Sequence, residues 1–569
     1  MLYTADSKPH LRICLTLALQ QISFLGVYMV LSPLLARQLQ LSHEQSLQLI
    51  SATFMASGLG VIIQAAAFRG IGAGLLCPVQ TTSSTFSALA LSKASGGLTA
   101  IFGMVSIVGI SQMLFAYLFQ RFRSIFSVQI AGVAVTLIGL GLGFNGIKLC
   151  LEHSNQLGVI DHSDLGLFFM TLLPMIICNV WLSGYLRMIS AFIGLATGLI
   201  TAIWLGKISD SASLLLAEQT WFYLPHPMNI GWSLDSHSII PGVITGLFLA
   251  LHGFGALVAA QRFNDEHWKR PNLDQIRRGL LSEGLTNLIS SALNGIPLTS
   301  SGGAVSLAAA TGCTSRQVAY YLGGMMILIA FMPKVISFWE LLPEPVIGGA
   351  LLFLASYTTL AGLQIICSRL MDNRKTLTIG IALILGISYE PLKPLLHQTN
   401  IDGNALVIFT SVGLGVLVAV LLATVFRFRD HTLDSQSFKI DASELDTVVN
   451  FIEHQGKRWG ARAELVKRAE YVTWQAFETI IEQAIFAHLL ASEQRIQIKT
   501  KFNEYTFTVF INYPGPALPL DLGKPREEDV LLSDEAMVQM SAYLLKRLAD
   551  QIKVSHSNGR SELSLTFND

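Results

Sequence analysis

Two segments of the sequence place neutral hydrogen-bonding side chains directly in front of a short apolar run. Residues 74–87 do so after Pro78, and residues 295–312 do so after Pro297. Amides and hydroxyls donate and accept hydrogen bonds, and the free N–H groups at the start of a helix attract negative charge. The predicted substrate-binding residues are Gln80, Ser83, Ser84 and Phe86 (whose ring can stack on a planar ligand), and Ser300, Ser301, Gly302 and Gly303. These residue types favour a neutral or anionic small molecule.

His252 is the ionisable side chain that we expect near the middle of an apolar segment. An ionisable side chain inside the membrane is a candidate functional residue. Among the side chains, histidine has the unperturbed pKa nearest neutrality. We interpret His252 as a substrate ligand and the candidate for proton coupling; the alternative is a neutral ring bonded to a backbone carbonyl. Gln21 either faces the site or joins two helices. Glu283 is expected near the cytoplasmic end of its segment, in a capping or structural role.

The composition indicates which elements must position these residues. The chain has 569 residues, of which 51% are hydrophobic and 13% charged, whereas soluble domains carry roughly a quarter charged residues. Most of the chain is therefore expected in lipid. The net charge of zero gives no reason to expect nucleic acid. Six scattered cysteines form no ligand spacing, and no nucleophile–base set is present, so we expect no metal, no catalytic residue and no enzyme.

Apolar segments follow one another from about residue 11 to residue 426, and we count fourteen. They are 11–35, 44–68, 71–92, 97–119, 125–145, 164–182, 185–206, 238–262, 280–295, 297–312, 317–336, 344–365, 375–390 and 403–426. Arg and Lys concentrate in alternate short loops, which predicts that both termini are cytoplasmic. The expected location is the inner (cytoplasmic) membrane.

The two interrupted segments are third and tenth of the fourteen, which predicts two repeats of seven in opposite orientation. Residues 125–139 and 342–356, in the fifth and twelfth segments, also look alike at low resolution. The fold class is therefore an α-helical membrane protein of two inverted seven-segment repeats, about 1–206 and 238–429, within a membrane domain of residues 1–429. Residues 430–569 are polar, with helical patterns at residues 443–453, 472–491 and 533–552 and strand patterns at residues 495–500, 506–512 and 562–567. These patterns predict a cytoplasmic α+β regulatory domain.

Four stretches, in chain order, resemble motifs of the nucleobase–ascorbate transporter family, the uracil, xanthine and urate permeases. They are Leu19-Gln20-Gln21, residues 76–83 (Leu-Cys-Pro-Val-Gln-Thr-Thr-Ser), residues 221–225 (Trp-Phe-Tyr-Leu-Pro) and residues 342–349 (Leu-Pro-Glu-Pro-Val-Ile-Gly-Gly). The resemblance implies a core domain moving against a gate domain, with substrate between the third, eighth and tenth segments. It implies a secondary active transporter or facilitator of nucleobases such as xanthine, urate or uracil, working by alternating access.

The chain also departs from the family pattern. His252 stands where the family usually has a glutamate, and Gly302-Gly303 stands where it has Gln-Asn or Gly-Glu. Loss of both carboxylates leaves two alternatives open. One is a small-anion carrier like the sulfate permeases, and the other is a non-transporting membrane receptor that signals through its C-terminal domain. We expect a homodimer in the lipid bilayer, no cofactor, and a proton or sodium ion as the candidate coupling ion.

The order of elements predicted after residue 430 resembles the ATP-binding domain of histidine kinases and anti-sigma kinases. Residues 477–488 stand where that family has a Glu-x-x-x-Asn helix, and residues 507–516 where it has Asp-x-Gly-x-Gly. No Asn follows Glu478 or Glu482 at the required spacing, and Asn512 replaces the Asp. We therefore expect a degenerate, non-catalytic regulatory or assembly domain, in which ATP binding is not expected.

Overall fold

The structure of the chain is a computed structural model. Within the ranges that it describes, a few side chains are left out, among them that of Ser83. The structure describes residues 3–121, 128–157, 162–182, 185–208, 219–222, 230–265, 271–367, 371, 373–397, 411–427, 433–459, 461, 463–486, 495–503, 506–518, 534–557 and 559–568.

The first part of the chain is helical, and its helices follow the apolar segments of the sequence. In chain order they are α1 Leu11–Met29, α2 Leu31–Gln38, α3 His43–Ala66, α4 Phe86–Arg121, α5 Val128–Leu157, α6 His162–Val180, α7 Tyr185–Met188, α8 Ser190–Trp204, α9 Ile239–Asn264, α10 Leu273–Leu293, α11 Gly302–Ala310, α12 Arg316–Ala330, α13 Pro333–Glu340, α14 Glu344–Ile366, α15 Asn373–His397 and α16 Ser411–Arg427. Polar caps set several of these starts. The Ser42 and Gln45 side chains form a capping box at α3, which satisfies N–H groups that no helical carbonyl can reach.

Seven helices in the described ranges are long and apolar enough to cross a membrane, and the bent pair of α12 and α13 makes an eighth if it is one span. The predicted count of fourteen is higher because it includes short or polar segments. α8 and α16 are shorter than a full crossing, and α11 has nine residues. α10 has low mean hydropathy because it carries several charged residues.

The two interrupted segments meet as a pair of antiparallel strands, β1 (Val79–Thr81) and β2 (Leu298–Ser300). Val79 pairs with Ser300, Gln80 with Thr299 and Thr81 with Leu298. Each strand is followed by a short helical run, since proline and the hydroxyl residues interrupt a regular helix and leave backbone groups to be paired elsewhere. The pairing satisfies these groups at a depth where unpaired backbone is costly.

α4 contains a break at Gly97, where the backbone has φ of 78° and ψ of −170°. This conformation is accessible essentially to glycine alone. α4 is therefore two helical parts joined at Gly97, which agrees with the predicted third and fourth segments meeting between residues 92 and 97.

The chain divides into two compact units, one of Met1–Ile366 with Ile379–Leu421 and one of Cys367–Thr378 with Leu422–Asp569. The predicted boundary at residues 429 and 430 lies close to the second division. No residue pattern indicated that residues 367–378 belong with the C-terminal unit. Within that unit, the Lys375 Nζ donates a hydrogen bond of 3.5 Å to the Trp459 carbonyl, which ties the two parts together.

The C-terminal unit is a five-stranded antiparallel sheet in the order β3-β4-β5-β7-β6, with helices against one face. Its elements are β3 Leu433–Lys439, α17 Leu445–Trp459, α18 Ala463–Phe486, β4 Arg495–Asn503, β5 Thr506–Pro514, α19 Asp534–Leu548, β6 Gln551–Ser557 and β7 Arg560–Asn568. The sequence prediction missed β3 and β6. It also extended the last helix to residue 552, whereas α19 ends at Leu548 and β6 begins at Gln551. Both missed strands lie at the edges of the sheet, where the alternation of buried and exposed residues is weak.

Candidate functional site

The paired strands are held in place by hydrogen bonds with α1 and α3 and by one between the two interrupted segments. The Ser57 hydroxyl on α3 donates to the Val79 carbonyl at 2.6 Å, and the Thr81 hydroxyl donates to the Tyr28 carbonyl on α1 at 2.5 Å. The Ser301 N–H donates to the Pro78 carbonyl at 2.7 Å, joining the two interrupted segments just beyond the strands. The strands therefore form a fixed floor onto which neighbouring side chains project.

Buried polar atoms without hydrogen-bond partners lie around this floor. Gln80 is 1% exposed and His252 is fully buried. In the part of the chain that the structure describes, the Gln80 Oε1 and both His252 ring nitrogens have no hydrogen-bond partner, and neither does the Gln21 Oε1. The Gln80 amide lies beside the Tyr28 hydroxyl, and the His252 ring lies beside the Ser300 main chain. Buried polar groups are normally paired, so these unpaired atoms make the surroundings of the strands a candidate ligand site.

The residues at the start of α11 have two kinds of environment. The Ser301 hydroxyl accepts a hydrogen bond from the Ala304 N–H at 3.1 Å as the N-cap of the helix. A side chain at Gly302 would meet no atom within 4 Å, so the first turn of α11 faces open space, whereas Gly303 lies against the Phe24 ring. The Gln21 Nε2 also donates to the Ala304 carbonyl at 3.1 Å. Gln21 therefore both joins α1 to α11 and presents an unpaired oxygen.

The remaining predicted residues of the first segment lie differently. Ser84 is half-buried, and its hydroxyl lies 3.1 Å from that of Thr82. Phe86 packs against the buried cluster that includes Leu89 and Phe102, so its ring belongs to a hydrophobic core. The Ser83 side chain lies outside the described residues.

Glu283 corrects one prediction from the sequence. It lies in the middle of α10 and is 1% exposed, not near a helix end. Its carboxyl accepts hydrogen bonds from the Ser300 hydroxyl at 2.5 Å, from the Thr299 hydroxyl at 3.2 Å and from the Gln112 amide at 3.2 Å. A carboxyl group therefore touches β2, although the eighth and tenth segments have none.

The prediction for Glu283 was wrong because it placed the start of this helix several residues too late. α10 starts at Leu273, because the Asn272 side chain accepts a hydrogen bond from the Gln275 N–H at 3.1 Å. The prediction began the segment at residue 280, which put Glu283 within its first turn. The Asn-x-x-Gln cap at residues 272–275 was the signal that could have corrected it.

Gly253, next to His252 on α9, makes room for this carboxyl. A Cβ at Gly253 would collide with both oxygens of Glu283. Small residues let membrane helices approach closely, and here the approach brings α9, α10 and β2 together around one polar cluster.

Aromatic rings that the sequence analysis did not select complete the surroundings of α11. The Phe24 ring makes edge contacts with Tyr28 at 5.7 Å and with Tyr357 at 5.8 Å between ring centroids. The Tyr28 hydroxyl lies 2.6 Å from that of Thr358 on α14. The i, i+4 spacing of Phe24 and Tyr28 in the first apolar segment was the available signal. Among the described residues, no group of three or more His, Cys, Asp or Glu side chains lies together in a way that could hold a metal ion.

The chain resembles known transport proteins over most of its length. The family model described as "Permease family" (Xan_ur_permease) matches residues 12–392. The nucleobase transporter PlUacP of Paenibacillus larvae subsp. larvae is 28% identical over 422 residues, which cover 72% of this chain and 94% of that protein. The xanthine permease XanQ of Escherichia coli (strain K12) is 28% identical over 414 residues, 69% of this chain and 87% of that protein.

The solved structures show the fold. The overall structure of SLC26A9 superimposes with a TM-score of 0.51 at 12% sequence identity, covering 76% of this chain and 68% of that one. Helical transporter architecture is thus common to both. The family match spans two thirds of the sequence and includes both paired strands, α9, α10 and α11, and on this evidence the chain belongs to the xanthine/uracil permease family.

Proposed function

We propose that this permease carries a nucleobase, a purine or pyrimidine such as xanthine, urate or uracil, across the membrane by alternating access. The observation that carries the proposal is the set of buried, unpartnered polar atoms of Gln21, Gln80 and His252 around the paired strands. The relatives named for nucleobase and xanthine transport support the same substrate class.

The chemistry of these atoms suits the edge of a nucleobase. Such an edge alternates N–H donors with carbonyl and ring-nitrogen acceptors in one plane. The Gln80 and Gln21 oxygens accept from N–H groups, and a neutral histidine offers one donor and one acceptor. The Phe24 and Tyr28 rings near Gly303 provide apolar faces for a planar molecule.

The charge around the strands disfavours the inorganic-anion alternative. β1, β2 and α11 contain no Lys or Arg, and the Glu283 carboxyl lies against β2. An anion that entered this site would be attracted by the free N–H groups of α11 but repelled by an ionised Glu283. A neutral ligand avoids this repulsion.

We further propose that Glu283 exchanges the coupled proton. Its carboxyl is the acidic group that touches both the floor of the site and, through Gly253, the helix of His252. Protonation would weaken the charge-assisted hydrogen bonds from Ser300 and Thr299, which links the proton to the position of β2. His252 remains the alternative carrier of the proton and, with Gln80, a proposed substrate ligand.

The finer architecture belongs to the same proposal. Fourteen segments in two inverted repeats, both termini in the cytoplasm, the inner membrane as location and a homodimer are consistent with the pairing of the third and tenth segments and with the charge distribution of the loops. The C-terminal unit would then be cytoplasmic and regulatory.

The test is ligand binding by the purified full-length chain. Xanthine, urate, uracil, sulfate and bicarbonate are compared by thermal shift, since a ligand that binds the native state raises Tm with its occupancy. Gln80→Leu removes an acceptor without a large change in volume, and we expect at least tenfold weaker nucleobase binding, about 1.4 kcal/mol.

The matched control is Gln64→Leu, which changes a fully buried glutamine of α3 whose Oε1 accepts from the Ala73 N–H. This variant should keep the affinity for nucleobase. A shift with sulfate or bicarbonate alone would refute the nucleobase proposal and favour an anion carrier. Nucleobase binding without uptake into proteoliposomes would favour the receptor.

A further inference from the structure

One face of the C-terminal sheet is open in the described part of this unit. α17, α18 and α19 pack against the other face, which is formed by apolar residues such as Ile498, Val509 and Leu563. On β5 the buried residues 507, 509, 511 and 513 alternate with half-exposed ones. Side chains of alternate residues point to opposite faces of a sheet, so this alternation and the strand register define the residues of the open face.

The open face is strongly basic. Its charged side chains, all on the described strands, are Lys439, Arg495, Lys499, Lys501, Lys553, Arg560 and Glu562. Six cations therefore face one carboxylate, although the whole chain carries equal numbers of basic and acidic residues. The six basic side chains are exposed. The open face of the sheet therefore carries a net positive charge.

Three of the cations crowd one end of the sheet. Lys439 lies directly opposite Arg495 on the neighbouring strand, and Arg560 donates to the Arg495 carbonyl at 3.1 Å and to the Asn512 Oδ1 at 2.7 Å. The acid nearest in sequence to Lys439 is Asp441, whose pKa is lowered by hydrogen bonds from Ser443 and, more weakly, by Lys439. Like charges on facing strands destabilise a sheet, so an anionic partner would relieve this arrangement.

A partly exposed aromatic ring lies near the centre of the basic face. Phe510 on β5 pairs with Lys499 on one side and Ser564 on the other, and Ser564 pairs in turn with Lys553. An apolar ring on a basic face is a combination found on surfaces that bind anionic membrane interfaces.

We propose that the open face of the sheet binds anionic phospholipid headgroups of the membrane in which the chain is embedded. Five residues lie between the end of α16 and the start of β3 in the sequence, and a stretch of that length can reach at most about 18 Å. A short connection gives the lipid surface a high effective concentration at the domain, and basic clusters next to a membrane helix are attracted to anionic lipids. The proposal is independent of the transported substrate.

The test measures lysine accessibility in the full-length chain. The protein is placed in nanodiscs of phosphatidylcholine alone or with about one third phosphatidylglycerol, and lysines are acylated and quantified by mass spectrometry. We expect Lys439, Lys499, Lys501 and Lys553 to react at least about threefold more slowly in the anionic discs, and the difference to vanish in high salt. Lys457 and Lys467, exposed on the helical side, should react equally in both.

Paired variants separate binding from general charge effects. Lys499→Glu with Lys501→Glu should abolish the protection of Lys439 and Lys553, whereas Lys457→Glu with Lys467→Glu should leave it intact. Equal acylation in the two kinds of disc would overturn the proposal. Protection by a uridine oligonucleotide but not by anionic lipid would also overturn it, and would identify the face as a nucleic-acid surface.

Discussion

Glu283 and Gly253 show that a polar site inside a membrane protein depends on the smallest side chains as much as on the reactive ones. The carboxyl of Glu283 reaches β2 because glycine on α9 leaves space for it. His252 and Gln80 then remain with unpaired polar atoms. Two helices, α9 and α10, and the paired strands thus share one polar cluster whose chemistry is set by a few side chains.

Gly253→Ala should destabilise the protein by roughly 1–3 kcal/mol, the usual cost of forcing an extra methyl into a packed interior. The added Cβ would push the Glu283 carboxyl away from Ser300 and Thr299. Thermal unfolding of the purified chain measures the effect. Gly141→Ala, on α5 where a Cβ meets no atom within 4 Å, is the control and should not lower Tm; equal losses for the two variants would contradict the packing argument.

Glu283→Gln should uncouple transport from a pH gradient. Glutamine still accepts a hydrogen bond from one hydroxyl of β2, but it cannot release a proton, so we expect gradient-driven uptake to fall at least tenfold, while nucleobase binding changes little. Uptake into proteoliposomes with and without a gradient provides the measurement.

Glu340→Gln is the matched control for Glu283→Gln. The carboxyl of Glu340 lies 3.0 Å from the His43 ring, outside the site, so this variant should keep its response to the gradient. If Glu283→Gln also keeps its response to the gradient, Glu283 does not exchange the coupled proton, and His252 becomes the candidate for that role.

At the scale of elements, the site is made by two short strands and the half-helices that follow them. β1 and β2 hold each other in register, and the Asn287 amide on α10 makes hydrogen bonds with both the N–H and the carbonyl of Leu298 at 2.7 and 2.9 Å. The Asn287 amide therefore pairs with the backbone of β2 in the way that a residue of a neighbouring strand would. α10 supports the floor with Asn287 and touches it with Glu283, one helical turn apart.

Gly97→Ala tests the break in α4. With φ of 78° and ψ of −170°, an alanine would be strained by about 1–3 kcal/mol, although its Cβ would meet no atom within 4 Å. We expect a lower Tm and slower uptake. Gly324→Ala on α12 adds a Cβ in equally open space but in a regular helix, and should be neutral; an unchanged Gly97→Ala would show that α4 can straighten without cost.

At the scale of the whole molecule, two units with separate cores share one chain. The core of the C-terminal unit includes Trp459, Phe502 and Phe507, whose ring centroids lie 5.7–6.2 Å apart. Both relatives match with 87–94% of their own length but only 69–72% of this chain, and the family model ends at residue 392. The C-terminal unit is thus additional to the matched permease region.

Phe507→Ala should lower the unfolding temperature of the C-terminal unit and leave that of the permease unit unchanged. Removing a fully buried phenylalanine costs about 3–5 kcal/mol, so its thermal transition should fall while the nucleobase-dependent shift of the other transition persists. Phe510→Ala, on the same strand but the open face, should leave both transitions almost unchanged. Loss of ligand binding in Phe507→Ala would show that the two units fold as one.

Elements with a local cause could be predicted from the residues alone. Proline, glycine and hydroxyl residues cannot continue an apolar helix, so residues 74–87 and 295–312 were recognisable as interrupted segments. Their matching positions predicted that they form one site, and the structure pairs them. The motifs at residues 76–83 and 342–349 identified the family. Alternation in residues 495–500 and 506–512 predicted β4 and β5, since a sheet with one buried face imposes a period of two.

Which side chains contact one another depends on the packing of segments that are distant in the sequence. The position of Glu283 depended on the start of α10 at Leu273 and on the space above Gly253, neither of which a hydropathy profile contains. Phe86 looked like a stacking ring but packs in a core, and Phe24 and Tyr28 looked like ordinary apolar residues but border α11. The basic face of the C-terminal sheet arose from the order β3-β4-β5-β7-β6, because strands distant in sequence become neighbours only through long-range pairing.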